Sequence, residues 1–117
     1  VGKIVKVIIA GGRRFNYRAY LFGYMDAFNS FVKVSEVVSG GASGADAAGE
    51  DWASARGIPV KRFPADWEGL GRAAGPARNG EMAEYAGALV AFPGGKGTEN
   101  MIGQARSSDL DVYVVQP

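Results

Sequence analysis

Two hydrophobic patterns alternate along this chain, short β-branched runs and stretches with helical spacing. Lys3–Ala10 (KIVKVIIA) has little polar interruption, as a central parallel strand covered on both faces would. Gly11 and Gly12 end it, and Arg13, Arg14, Phe15 and Asn16 form the outgoing loop. From Tyr17 to Phe31, the residues Tyr20, Leu21, Tyr24, Met25, Phe28 and Phe31 recur at helical spacing, with Gly23 marking a close contact. Val34–Val38 is a second strand, leading into the glycine loop Ser39–Asp46 and a helix from Ala45 to Arg56 that stops at Gly57. Ile58–Phe63 is a third strand, and Pro59 near its start suits a sheet edge.

Residues 64–76 read as a long irregular loop, of the kind that carries function in a small domain. A helix over Ala77–Ala86 follows, with Pro76 near its first turn. Ala88–Phe92 is the fourth strand, followed by the loop Pro93–Thr98, a helix over Asn100–Arg106 and a fifth strand over Asp111–Val115. This alternation predicts an α/β fold, a three-layer Rossmann-like sandwich with a five-stranded, mainly parallel sheet. Right-handed crossovers then place every loop that follows a strand on one edge of the sheet.

Composition narrows the chemistry more than the fold. The chain has 117 residues, the size of one domain (1–117) with one core. It has no Cys and no His, which excludes disulfides, thiolate nucleophiles, zinc–thiolate sites and imidazole acid–base chemistry. Catalysis would rest on carboxylates, Lys, Arg, Tyr, hydroxyls or a metal held by oxygens, and no particular metal site or resident cofactor is predicted. A net charge of +1 gives no global footprint for nucleic acid. No apolar run is long enough to span a bilayer and no signal pattern opens the chain, so the expected location is cytoplasmic, away from membranes.

The 18 glycines cluster at strand ends. The fourth strand runs straight into Pro93-Gly94-Gly95-Lys96-Gly97-Thr98-Glu99, with a helix behind it. Strand, glycine loop and helix together aim backbone N–H groups and a helix N-terminus at an anion. Thr98 is placed to cap that helix. Neither this loop nor Gly40-Gly41-Ala42-Ser43-Gly44 matches the dinucleotide or P-loop fingerprints, which argues against a dehydrogenase or a P-loop NTPase. Gly11 and Gly12 form a third glycine loop on the same edge, and the three together favour a phosphate or nucleotide site. Around it, Arg13 or Arg78 supplies charge, and Arg78-Asn79 sits in a helix first turn, where a cation implies an anionic partner. Asp46 caps its helix or binds ribose, Trp67 beside Asp66 stacks on a base or anchors the loop, and Glu99 either stabilises the helix dipole from the first turn or is the best-placed carboxylate for general-base or hydroxyl-binding work.

Five motifs in order carry a resemblance: Gly11-Gly12-Arg13-x-Phe15, Ser39-Gly40-Gly41-Ala42-x-Gly44-Ala45-Asp46, Pro64-Ala65-Asp66-Trp67, Ala74-Gly75-Pro76-x-Arg78-Asn79-x-x-Met82 and Phe92-Pro93-Gly94-Gly95-x-Gly97-Thr98. The chain resembles, over nearly its whole length, the YspA-type branch of the SLOG superfamily, small Rossmann-like domains related to the bacterial YpsA proteins. That resemblance implies a sensor of nucleotides or nucleotide derivatives, bacterial or phage-encoded, with an ADP-ribose-like or nucleoside monophosphate ligand. By analogy with relatives it also implies a homo-oligomer, a dimer.

The Lonely Guy phosphoribohydrolases are more distantly similar. Their Arg-Lys-x-x-Met segment and Pro-Gly-Gly-x-Gly-Thr loop match Arg78-Asn79-x-x-Met82 and Pro93–Thr98, which implies a functional role for Arg78 in N-glycosidic hydrolysis. Their catalytic glutamate falls where this chain has Met101, and the acidic residue before their fourth strand is Gly87 here, so the catalytic pair would be Arg78 and Glu99. The superfamily also includes the single-stranded-DNA-binding protein DprA, which makes a DNA groove lined by Arg13, Arg14, Arg72, Arg78 and Trp67 the third reading.

Overall fold

The computed structural model describes residues 4–117. Five strands, β1 (Ile4–Ala10), β2 (Lys33–Ser39), β3 (Val60–Arg62), β4 (Ala88–Ala91) and β5 (Asp111–Val114), form one sheet in the order β3-β2-β1-β4-β5. Every neighbouring pair is parallel. The sequence predicts these five strands, the sandwich and the edge position of β3; Lys3, the first residue of the expected β1, lies outside the described residues.

Alternation along β1 divides the core. Val7 and Ile9 face α1 (Arg18–Phe31) and α2 (Ala45–Ala55), packing with Leu21, Met25, Trp52 and Ala53. Ile8 faces the opposite way, toward α4 (Ala74–Tyr85) and α5 (Lys96–Ser107), where it joins Leu89, Met82, Met101 and Ala105. A strand covered on both faces must be apolar at successive positions, which is why β1 reads as a continuous hydrophobic run. Among the described residues, no helix is long and apolar enough to cross a membrane.

Four expectations are corrected. Residues 64–76 are not irregular: α3 (Trp67–Leu70) and a 3-10 turn over Gly71–Ala73 lead directly into α4. Asp66 nucleates α3 by accepting the Gly69 N–H at 2.9 Å. Helix α4 starts at Ala74, so Pro76 lies within its first turn, where a missing N–H is harmless, and Arg78 lies in the second turn. The dipole argument for an anion at Arg78 therefore lapses. Helix α5 also begins early, with Gly95 at its N-cap and the Glu99 N–H already bonded to the Gly95 carbonyl at 3.0 Å. Thr98 is thus buried inside the first turn and caps nothing. Finally, nothing approaches Gly23, so it marks no close contact.

Candidate functional site

In this strand order the chain runs outward from β1 to β2 and β3, then returns to place β4 on the other side of β1. Loops leaving β1 and β4 diverge at that reversal and open a crevice beyond the strand ends, where ligands bind in sheets of this type. Three backbone hydrogen bonds frame it. The Gly12 N–H donates to the Pro93 carbonyl at 2.9 Å, and the Gly12 carbonyl accepts from Ala45 at 3.1 Å and Phe15 at 3.2 Å. The loops after β1, β2 and β4 are thereby held edge to edge.

The crevice is a cavity of about 600 Å³, within the range of small-molecule sites. Of the residues singled out in the sequence, Gly11, Gly12, Arg13, Gly40, Ala42, Asp46, Trp67, Arg78, Asn79, Gly95, Gly97 and Thr98 line it. Gly41 and Ser43 line a smaller adjoining cavity of about 240 Å³. The others do not reach either space. Gly44 packs against the backbone of Gly12 and Arg13, and Gly94 against Gly12 and Thr98. Asp66 caps α3, and Glu99 lies exposed on α5 outside the lining. Arg72, named in the sequence only for a DNA groove, lines the main cavity too, and sequence reasoning missed Lys96 and Asn100, which also line it. Lys96 occupies the variable position inside the Gly-Gly-x-Gly-Thr motif.

Electrostatically the cavity is cationic. Arg13, Arg72, Arg78 and Lys96 face a single carboxylate, Asp46. Among the described residues, none of these four cations has an ion-pair partner within bonding distance. Helix α5 adds to the field: no side chain caps it, and among the described residues nothing accepts the N–H groups of Lys96, Gly97 or Thr98. Free N–H groups at the positive end of a helix form an anion seat.

Arg78 is fixed rather than free to swing. Its Nη1 donates to the Gly40 carbonyl at 2.7 Å and to Phe63 at 3.4 Å, and its Nε donates to Asn79 Oδ1 at 3.1 Å. Asn79 in turn donates through Nδ2 to Asn100 Oδ1 at 3.0 Å and to the Gly97 carbonyl at 3.4 Å. A Cβ on Gly40 would collide with the Arg78 guanidinium and the Asp46 carboxylate, so the strand end must stay bare there.

Asp46 is buried at the start of α2, with Oδ2 accepting the Ala42 N–H at 3.2 Å. Burial pushes its carboxyl up to about 6; the Ala42 and Gly40 amides and the Arg78 charge oppose that rise, and Glu50 adds to it. Because the folded-state value lies above the unfolded one, the native state holds this proton more tightly. The associated stability is complete below about pH 4 and is lost as pH rises to about 6, a change on the order of 3 kcal/mol. Hydrogen bonds from Arg56 and Trp52 hold Asp26 down at about 2, so it stays ionised through that window. Asp46→Asn should therefore remove a downward slope between pH 4 and 6, read from urea midpoints of both proteins. Parallel pH profiles for wild type and variant would refute this assignment.

The model of the YspA, cpYpsA-related SLOG family (YAcAr) matches residues 5–69. The match takes in the first two glycine loops, Asp46 and Asp66-Trp67; Arg78 and the Gly94–Thr98 loop stand on the structure alone. A search of curated proteins gave no match. Among solved structures, the chain is similar to the X-ray structure of DNA processing protein A (DprA) from Streptococcus pneumoniae, with a TM-score of 0.75 and 15% sequence identity. The superposition covers 99% of this chain and 50% of that one, so the chain spans about half of DprA. At this identity the likeness is one of fold. A family match over more than half of the sequence, including two of the three loops that build the crevice, identifies this chain as a member of the YspA, cpYpsA-related SLOG family.

Proposed function

We propose that the crevice binds a nucleotide or nucleotide derivative through its phosphate. The observation that carries this reading is the convergence of the uncapped α5 N-terminus and the immobilised Arg78 on one cationic cavity at the sheet's reversal point. Backbone N–H groups of Lys96, Gly97 and Thr98 seat the phosphate, and Arg78 and Lys96 neutralise it. Trp67, half-exposed on the cavity wall, offers a stacking face for a base.

Thermal unfolding against AMP, ADP, ADP-ribose, NAD, cyclic dinucleotides, ribose 5-phosphate and a short single-stranded oligonucleotide tests this. A ligand at about a hundred times its dissociation constant adds roughly 2.7 kcal/mol, a rise of several degrees for a domain this size. Arg78→Met should weaken that ligand about tenfold to a hundredfold, because a hydrogen-bonded charge on phosphate is lost. Arg78→Lys should recover only part of the loss, since an ammonium cannot make the same planar contacts. A response to the oligonucleotide alone, falling steeply with salt, would replace this reading with DNA binding. Free base accumulating in the mixture would extend it to N-glycosidic hydrolysis. Asp46 would then be the group to test, because it is the carboxyl that faces the cavity and is poised near neutral pH.

A further inference from the structure

The two edges of the sheet are finished differently. At one, β3 is three residues long, follows Pro59 and carries Lys61 and Arg62, all of which discourage pairing with a further strand. At the other, β5 runs Asp111-Val112-Tyr113-Val114, with no charge and no proline after its first residue. Among the described residues β5 pairs with β4 alone. The Asp111 and Val115 N–H groups donate back to the Gly87 and Ala91 carbonyls. By alternation, Val112 and Val114 aim their N–H and C=O groups away from β4.

Helix α1 brings aromatic surface to the same side. One of its flanks packs toward α2, where Trp52 and Arg56 hold Asp26 and Asp51 pairs with Arg18. The opposite flank carries Tyr17, Tyr20, Tyr24 and Phe31 at helical spacing, with no charged residue in the stripe. Tyr113 of β5 packs edge-on against Phe28, with ring centres 5.1 Å apart. Burial, then the neighbouring Tyr20 and Tyr113, raise the pKa of Tyr24. The stripe and the β5 edge are therefore one surface. Its exposed rings are also held in place, since Tyr17 lies edge-on to Phe15, which packs on Phe92. Side chains fixed in this way lose little freedom on docking.

Tyr17, Tyr20, Phe31 and Tyr113 are 69%, 51%, 79% and 36% exposed. At about 200 Å² per buried aromatic side chain, covering these four on two copies removes on the order of 900 Å². Val114 and the strand edge bring that past the roughly 1,000 Å² that a specific interface needs. A second copy supplies both complements at once, an open strand edge and an uncharged aromatic stripe, and brings no like charges together along the stripe. We infer that two copies of this chain associate about a two-fold axis through this surface, β5 running antiparallel to the β5 of the other copy and the α1 stripes closing over the junction. This contact is independent of what the crevice binds.

Sedimentation of the wild-type chain across about 1–100 µM should show a monomer–dimer equilibrium dominated by dimer at the upper end. Tyr20→Lys sets like charges against each other across the two-fold axis and should weaken association at least about a hundredfold. Val114→Pro removes an outward N–H that β4 does not use, and should weaken it comparably. Leu70→Lys, at an equally exposed apolar residue on α3, should leave the equilibrium unchanged. Far-ultraviolet circular dichroism checks the fold of each variant. A wild-type chain that stays monomeric at the highest concentration would overturn the inference. So would a dimer that survives either Tyr20→Lys or Val114→Pro, because helix and strand edge are assigned to one joint surface.

Discussion

Gly44→Ala is expected to destabilise the domain by about 2–4 kcal/mol and to lower the melting midpoint on the order of 10 °C. Gly44 precedes α2 with φ 77° and ψ −124°, a backbone region that side chains rarely enter. A Cβ there would also fall on the carbonyl groups of Gly12 and Arg13, which are backbone atoms and cannot rotate aside. Gly57 supplies the control. It has a similar φ of 69° but nothing within 4 Å of the Cβ position. Gly57→Ala should show the conformational cost alone, about 1 kcal/mol. If the two variants unfold together, the close approach between the first two loops contributes nothing, and those loops do not frame the crevice.

Trp52→Ala should be the most damaging single change, at about 3–5 kcal/mol, against a total stability of about 5–15 kcal/mol for domains of this kind. Trp52 is completely buried between α1, α2 and the sheet, so truncation leaves a large void among Leu21, Met25 and Val37. Its Nε1 also donates to Asp26 at 2.8 Å, and Asp26 is gripped by Arg56 through two further bonds of 2.8 Å. Trp52→Phe separates the two contributions, because it keeps most of the ring volume and loses only the donor. Chemical denaturation of the pair should place Phe much nearer wild type than Ala. Equal losses would mean that the Asp26 hydrogen bond, not packing, supplies most of the stabilisation from Trp52.

The strands were legible because a parallel sheet buried on both faces forces near-continuous apolar runs: β1 carries one rich in Ile and Val, and β4 is apolar throughout. Helix starts were harder to read. Glycines at Gly95 and Gly97 look like loop, yet a first turn tolerates them because its N–H groups have no partners to lose. Placing the start of α5 at Asn100 instead of Lys96 leaves Thr98 and Glu99 in the loop. With the observed start, Thr98, Met101 and Ala105 fall on one buried stripe, and Glu99 turns to solvent. Helix α3 left almost no pattern, since four residues cannot show a period; the Asp66-to-Gly69 spacing was its one signal.

The glycine loops around the crevice were readable from composition, because close approaches such as those of Gly40 to Arg78 and of Gly44 to the Gly12 backbone demand glycine. Asp46 was only half readable. A helix-opening acid ordinarily faces solvent, and nothing local reveals that Arg78 and the Gly40 strand end close over this one. Lys96 and Asn100 escaped notice because their place on the cavity wall depends on where α5 starts and how it packs on the sheet.

One residue, Gly12, accepts from the second helix through its carbonyl, donates to the loop after β4 through its N–H and closes its own turn through Phe15. Three loops therefore share one fastening. None can swing outward without breaking a bond that also restrains another, so the rim of the crevice opens as one cooperative unit, with a protection factor common to its amides. A ligand bound as proposed would meet a mouth braced by these bonds, and its selection would rest on fit to that width rather than on the closing of a single loop.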